Sequence, residues 1–186
     1  MEKYFNEALI GNNKMLVTFT RNGEIQRMYY PAKDNRQYIS FYHTGVKVND
    51  SDLVYLHDDI NNTYKQFYDV NTNILNTEIT NTYFNLKILQ IDFVPMKENV
   101  LVKRYTFINE NNIDLDLKFF VHSELLSNSN NHVGCKITDY GMIQYAHDFM
   151  FSTVSQEVKI SNHQINGSKN TIKKPPTNRL CGATCT

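Results

Sequence analysis

Met15-Leu16-Val17-Thr18-Phe19-Thr20, then Arg21-Asn22-Gly23-Glu24, then Ile25-Gln26-Arg27-Met28-Tyr29-Tyr30 is the stretch that decides the fold class. Two β-prone runs flank Asn-Gly, a strong short hairpin cue, because a two-residue turn needs positive φ at both central positions. Pro31 cannot donate a ladder hydrogen bond, so the second strand is expected to end there. Outward from this hairpin, period-two alternation recurs along most of the chain. Residues 37–48 read as a strand closed by Asn49-Asp50-Ser51-Asp52, and Leu53-Val54-Tyr55-Leu56 as a short one running into His57-Asp58-Asp59. Residues 64–68 and 73–81 are further candidates. Phe84 to Ile88 alternates in one phase and Leu89 to Phe93 in the other, which predicts a bulge near Ile88-Leu89.

Beyond Pro95, residues 100–108 form a strand and Asn109-Glu110-Asn111-Asn112 a turn. Ile113, Leu115, Leu117, Phe119 and Val121 then line one face, with Asp114, Asp116 and Lys118 on the other, the pattern of a half-buried strand. Short strands follow at 134–138, 142–146, 149–155 and 157–161. No window of a dozen residues carries a helical apolar stripe. Many short strands punctuated by Asn, Asp and Gly predict an all-β fold, an antiparallel β-sandwich over residues 1–169. Residues 170–186, with Lys173-Lys174-Pro175-Pro176 and Cys181-Gly182-Ala183-Thr184-Cys185, are expected to be an irregular tail foreign to that domain.

Composition narrows the function classes. A length of 186 residues suits one core better than two. Lys and Arg (19) balance Asp and Glu (19), so the excess positive charge of a nucleic-acid binder or a membrane-surface protein is missing. A hydrophobic fraction of 41%, with 12 Tyr and 11 Phe, is too apolar for a disordered chain. No apolar run approaches the roughly 18–20 residues needed to cross a bilayer, and the N-terminus lacks a secretory pattern. Three cysteines, two of them near the end, make no disulfide framework and point to a reducing, cytoplasmic setting.

Chemistry-bearing motifs are sparse. Glycoside hydrolysis needs two opposed carboxyl groups, and no pair stands out among Asp58, Asp59, Glu78, Asp92, Glu98, Glu124, Asp139 and Asp148. His57-Asp58-Asp59 lacks the tight ligand spacing of a zinc signature, and no cofactor loop or nucleophile elbow is present, so no catalytic residue, metal or cofactor is assigned. His122 and Glu124, two apart on one strand, share a face and could serve a mutarotase-like proton transfer. Tyr30 and Tyr42, in the aromatic early strands, are the candidate sugar contacts, although core packing competes for both.

The order of fragments says more than any one of them. Gly11-Asn12, Met15 to Thr18, Asn22-Gly23-Glu24-Ile25 and Met28-Tyr29-Tyr30-Pro31 open a series. It continues through Thr44-Gly45-Val46-Lys47-Val48, Leu53 to Asp58, Ile91-Asp92-Phe93-Val94-Pro95, Val102-Lys103-Arg104 and Phe119 to Glu124. The series resembles the N-terminal β-sandwich of prokaryotic glucoamylase-type enzymes of glycoside hydrolase family 15, from about Ala8 to about Ser155. That resemblance implies a large supersandwich-like domain, incomplete here, that precedes an (α/α) barrel hydrolysing α-glucans and maltooligosaccharides. The catalytic glutamates belong to the barrel, so the chain is expected to be inactive alone, to have the barrel as its partner, and to self-associate without it. A stand-alone oligosaccharide-binding module is the alternative.

Overall fold

The computed structural model describes residues 7–32, 37, 39–125, 134–146, 149–155, 158–165 and 181–185. Its first strands are β1 (Ala8–Gly11), β2 (Leu16–Phe19), β3 (Ile25–Tyr29), β4 (Ile39–Val48) and β5 (Val54–Tyr55). Then come β6 (Asn62–Tyr68), β7 (Leu75–Asn81), β8 (Leu86–Phe93), β9 (Val102–Asn109) and β10 (Leu117–Leu125). The last are β11 (Gly134–Thr138), β12 (Gly141–Ala146), β13 (Phe149–Val154), β14 (Ile160–Ile165) and β15 (Cys181–Cys185). The fold is all-β and antiparallel. No helix among the described residues is long and apolar enough to cross a membrane.

Packing divides the chain into two compact units, Met1–Gln37 with Val54–Asp116, and Tyr38–Leu53 with Leu117–Thr186. The first unit is two-layered. One layer is the sheet β1-β2-β3 and the other the meander β6-β7-β8-β9. Ile10, Val17 and Phe19 from the small sheet and Leu75, Ile79, Leu86 and Ile88 from the large one are at most 1% exposed. Burying each such side chain contributes about 1.5–3 kcal/mol. The second unit sets β11-β12-β13 against a sheet in which β14, β15, β10 and β4 are successive neighbours.

The hairpin forms as the sequence predicts, but its turn differs. The Gly23 amide donates to the Thr20 carbonyl (3.0 Å), which puts Arg21 and Asn22 at the turn centre. Only Gly23 has positive φ, at 83°. Pairing jumps from Thr18–Arg27 to Phe19–Ile25, leaving Gln26 as the extra residue. The turn thus closes with one left-handed residue, Gly23, rather than two, and Gln26 forms a separate bulge farther along β3. Three asparagines, Asn49, Asn71 and Asn85, take the other left-handed positions (φ 51°, 59° and 47°), where a short polar side chain is tolerated best.

Three further expectations are corrected. No bulge interrupts β8: Ile88 faces Ile79 and Phe107, and Leu89 faces Glu78 and Thr106, in unbroken register. The phase is kept because Gln90 and Asp92 point inward and are fully buried, while Leu89, Ile91 and Phe93 occupy the other face. The strand read from Ile113 starts at Leu117, and Ile113 is 68% exposed. The Asn109 side chain donates to the Ile113 carbonyl (2.7 Å), so a local side-chain bond holds the loop in place of a ladder. Finally, Cys181–Cys185, expected within an irregular tail, is the strand β15 between β14 and β10.

Polar side chains fasten the loops. Asn12 donates to the Pro95 and Glu98 carbonyls while its oxygen accepts from the Lys14 and Met15 amides. On the outer edge of β1, which the sequence reading did not anticipate, the Tyr68 hydroxyl accepts from the Leu9 amide (2.9 Å) and donates to its carbonyl (2.7 Å).

Candidate functional site

The two aromatic candidates fall in different environments. Tyr42 pairs with Ser123 across β4 and β10 and is 8% exposed, so its ring is part of the second unit's core. Tyr30, just past β3, is half-buried, and its hydroxyl accepts a bond from the Asn99 amide (3.0 Å). The two lie in different units.

His57-Asp58-Asp59 forms a tight turn whose side chains diverge. The Asn22 side chain donates to the His57 carbonyl (2.9 Å), and His57 Nδ1 lies 2.8 Å from the Asn22 carbonyl. The imidazole is buried and held to the hairpin turn, Asp58 is exposed, and Asp59 accepts from the Asn61 amide (2.7 Å). Asn62 and the Tyr64 hydroxyl both donate to the Leu56 carbonyl, at 2.9 and 3.0 Å. Burial raises the Tyr64 phenol above its ordinary value. Among the described residues no three His, Cys, Asp or Glu converge to hold a metal ion.

Among the acids the sequence picked out, Asp92 has the most developed surroundings. Lys103 Nζ lies 2.6 Å from Asp92 Oδ1, with the side chains 8% and 0% exposed. Gln90 Nε2 donates both to Asp92 Oδ2 (2.6 Å) and to the Gly23 carbonyl (2.8 Å). Both partners of that amide are acceptors, which fixes its orientation and leaves Gln90 Oε1 without a hydrogen bond. The Lys103 ammonium also lies over the Phe19 and Tyr105 rings, 5.3 and 5.6 Å from their centroids. Burial pushes the Asp92 carboxyl above the usual carboxylate range, and Lys103 and Gln90 pull it back. The cluster ties the two sheets of the first unit together. Its polar groups are committed to one another, which suits structure rather than hydrolysis.

His122 and Glu124 do share a face of β10, and the structure adds a residue the sequence reading did not connect to them. His43 of β4 lies directly opposite His122. Phe41 stacks on His43 (4.8 Å between centroids) and meets His122 edge-on (4.9 Å). Glu124 is 4% exposed. Cross-strand register is the signal that joins these residues, and one sequence does not print it. Deeper in the same unit, Ser123 Oγ donates to Gln144 Oε1 (2.9 Å), and Gln144 Nε2 donates back to the Ser123 carbonyl (3.1 Å). Cys135 on β11 is disulfide-bonded, although the cysteine pattern predicted no disulfide framework.

An all-β chain whose two units each stack antiparallel sheets fits the β-sandwich class. The comparisons agree. A bacterial glucoamylase solved in complex with acarbose matches 100% of the chain with 30% of its own, at a TM-score of 0.68 and 13% identity, a likeness of fold. An uncharacterized glycosyl hydrolase of Methanocaldococcus jannaschii is 30% identical over 118 residues, 63% of this chain. The chain spans 18% of that relative. No family profile matches. The chain has a glucoamylase-like fold and is similar in sequence to part of a glycosyl hydrolase.

Proposed function

We propose that the chain is an N-terminal accessory domain of a glucoamylase-like glycoside hydrolase acting on α-glucans and maltooligosaccharides, and that it packs against an (α/α) catalytic barrel. The observation that carries this reading is the match of the whole chain to under a third of a glucoamylase. The outward face of β8, with Leu89, Ile91 and Phe93, supplies apolar surface of the kind such packing uses. Without a barrel the chain self-associates through sheet edges such as β13, where Met150 and Val154 are 66% and 65% exposed among the described residues. Cytoplasmic residence belongs to the same proposal, and the Cys135 disulfide is the observation that weighs against it.

The purified chain should release no glucose from maltooligosaccharides, and release would sink the accessory reading. The flanking DNA should encode a barrel, and a flank without one would count equally against it. A second reading, a stand-alone sugar-binding module, draws on Tyr30, the more exposed of the two tyrosines.

A further inference from the structure

One row of side chains crosses the whole large sheet of the first unit: Gln66 on β6, Thr77 on β7, Gln90 on β8 and Tyr105 on β9. The β2–β3 turn lies directly on this row. Gly23 is buried, and a Cβ added to it would meet Thr77 Oγ1 at 2.7 Å. Gln90 Nε2 gives one hydrogen to the Gly23 carbonyl (2.8 Å) and the other to Asp92 Oδ2 (2.6 Å). A single carboxamide therefore joins a buried acid to the hairpin turn.

That orientation serves two acceptors and leaves Gln90 Oε1 buried with no donor. It is the orientation an ionised Asp92 requires, because a carboxylate only accepts. Lys103 holds the other oxygen, Oδ1, at 2.6 Å, so an incoming proton goes to Oδ2. There it turns the acceptor facing Gln90 Nε2 into a donor. Rotating the carboxamide by half a turn gives Oε1 the donor it lacks, but sets the same oxygen against the Gly23 carbonyl, acceptor to acceptor. One amide cannot satisfy both neighbours once Asp92 is protonated.

Which neighbour yields follows from how each is held. Asp92 and Gln90 are two apart on one face of β8, a strand paired on both sides. The turn is a chain reversal, tied elsewhere by Gln66 Nε2 to the Thr20 carbonyl (3.3 Å) and by the two bonds between Asn22 and His57. It can shift without coming away. We infer that Gln90 is a proton-controlled clasp on the β2–β3 turn, closed on Gly23 while Asp92 is ionised and open once Asp92 takes a proton. Burial favours the uncharged carboxyl and lifts its titration above the ordinary carboxylate range, and relief of the buried charge outweighs the bond given up. Among the described residues packed about Asp92, Lys103 on β9 is the charged group; Leu75 faces it from β7, and Phe19 and Tyr105 lie against Lys103. His57 also faces the turn, but its Nδ1 meets the Asn22 carbonyl, so that nitrogen carries a proton in both ring states and the bond survives titration.

The test is an NMR titration of the full 186-residue chain from neutral pH downward, reading the Asp92 carboxyl carbon, the Gln90 side-chain nitrogen and the Gly23 carbonyl carbon. All three should move with one shared midpoint, and the scalar coupling across the bond from Gln90 Nε2 to the Gly23 carbonyl should vanish through it. A Gly23 signal that stays flat while Asp92 titrates, or a coupling that persists below the midpoint, would overturn the clasp in the natural chain alone. So would unfolding before Asp92 takes its proton, since the clasp would then never open in the folded state. Gln90→Met keeps the length of the side chain and removes both amide atoms. In it Asp92 should still titrate and the Gly23 carbonyl should no longer follow. A Gly23 shift that survives in this variant would overturn transmission through Gln90 and assign the response to His57, Asp58 or Asp59 beside the turn.

Discussion

Asp92 in the first unit and Ser123 in the second both sit on the inward face of a long strand, at 0% and 1% exposure. Each ties one sheet to the other, yet the chemistry differs. Asp92 brings a charge into the core and needs Lys103 and Gln90 to hold it. Ser123 and Gln144 are neutral and exchange two bonds between themselves. An ion pair in low dielectric is costly to form and much costlier to break, whereas a neutral pair risks only an unmade hydrogen bond. The first unit therefore carries its polar cluster as a structural commitment, and the second carries its own as a modest one.

Removing Lys103 tests the contrast most severely. Lys103→Ala should destabilise the chain by about 3–5 kcal/mol, because the buried Asp92 loses its counter-charge and keeps only the Gln90 amide. Urea unfolding measures this, and a loss under about 1 kcal/mol would contradict the account of a desolvated pair. The double variant Asp92→Leu/Lys103→Met removes both charges and should recover most of that loss. Ser123→Ala leaves Gln144 Oε1 without its donor and should cost about 1–3 kcal/mol in the same assay. If it cost more than Lys103→Ala, the ranking of the two clusters would be reversed.

The smallest effect is a slope. Burial places the folded Asp92 carboxyl above its usual value of 3.8, which the unfolded chain approximates. A carboxyl raised on folding binds its proton more tightly in the folded state, so its contribution is full below 3.8 and lost as pH rises through the folded value. The gap in melting temperature between the natural chain and Asp92→Asn should narrow over that interval. The Ser123→Ala gap, involving no titrating side chain, should stay flat. Parallel curves for both variants would remove Asp92 from the acid response.

The same contrast explains what the sequence disclosed. Alternation located the β2–β3 hairpin, the meander and β11 through β13, because a half-buried strand prints its facing in every second residue. It misled at β8, where inward positions were assumed apolar. Gln90 and Asp92 break that assumption, and their compensating partners lie elsewhere in the chain, at Gly23 and Lys103. It also ran past the start of β10, because Ile113 and Leu115 keep the strand pattern while an asparagine side chain holds the loop. The site was less legible still. Arg21 lies on the hairpin turn and Asn62, Tyr64 and Gln66 on β6, and only packing across the fold brings them together.

A single phenol on β6 has a consequence for how copies of this chain can meet. By holding both the amide and the carbonyl of Leu9, the Tyr68 hydroxyl fills the rung that an invading strand would use to begin zippering onto β1. Pairing onto β1 is thereby capped at Leu9 from within the same chain, by one oxygen atom.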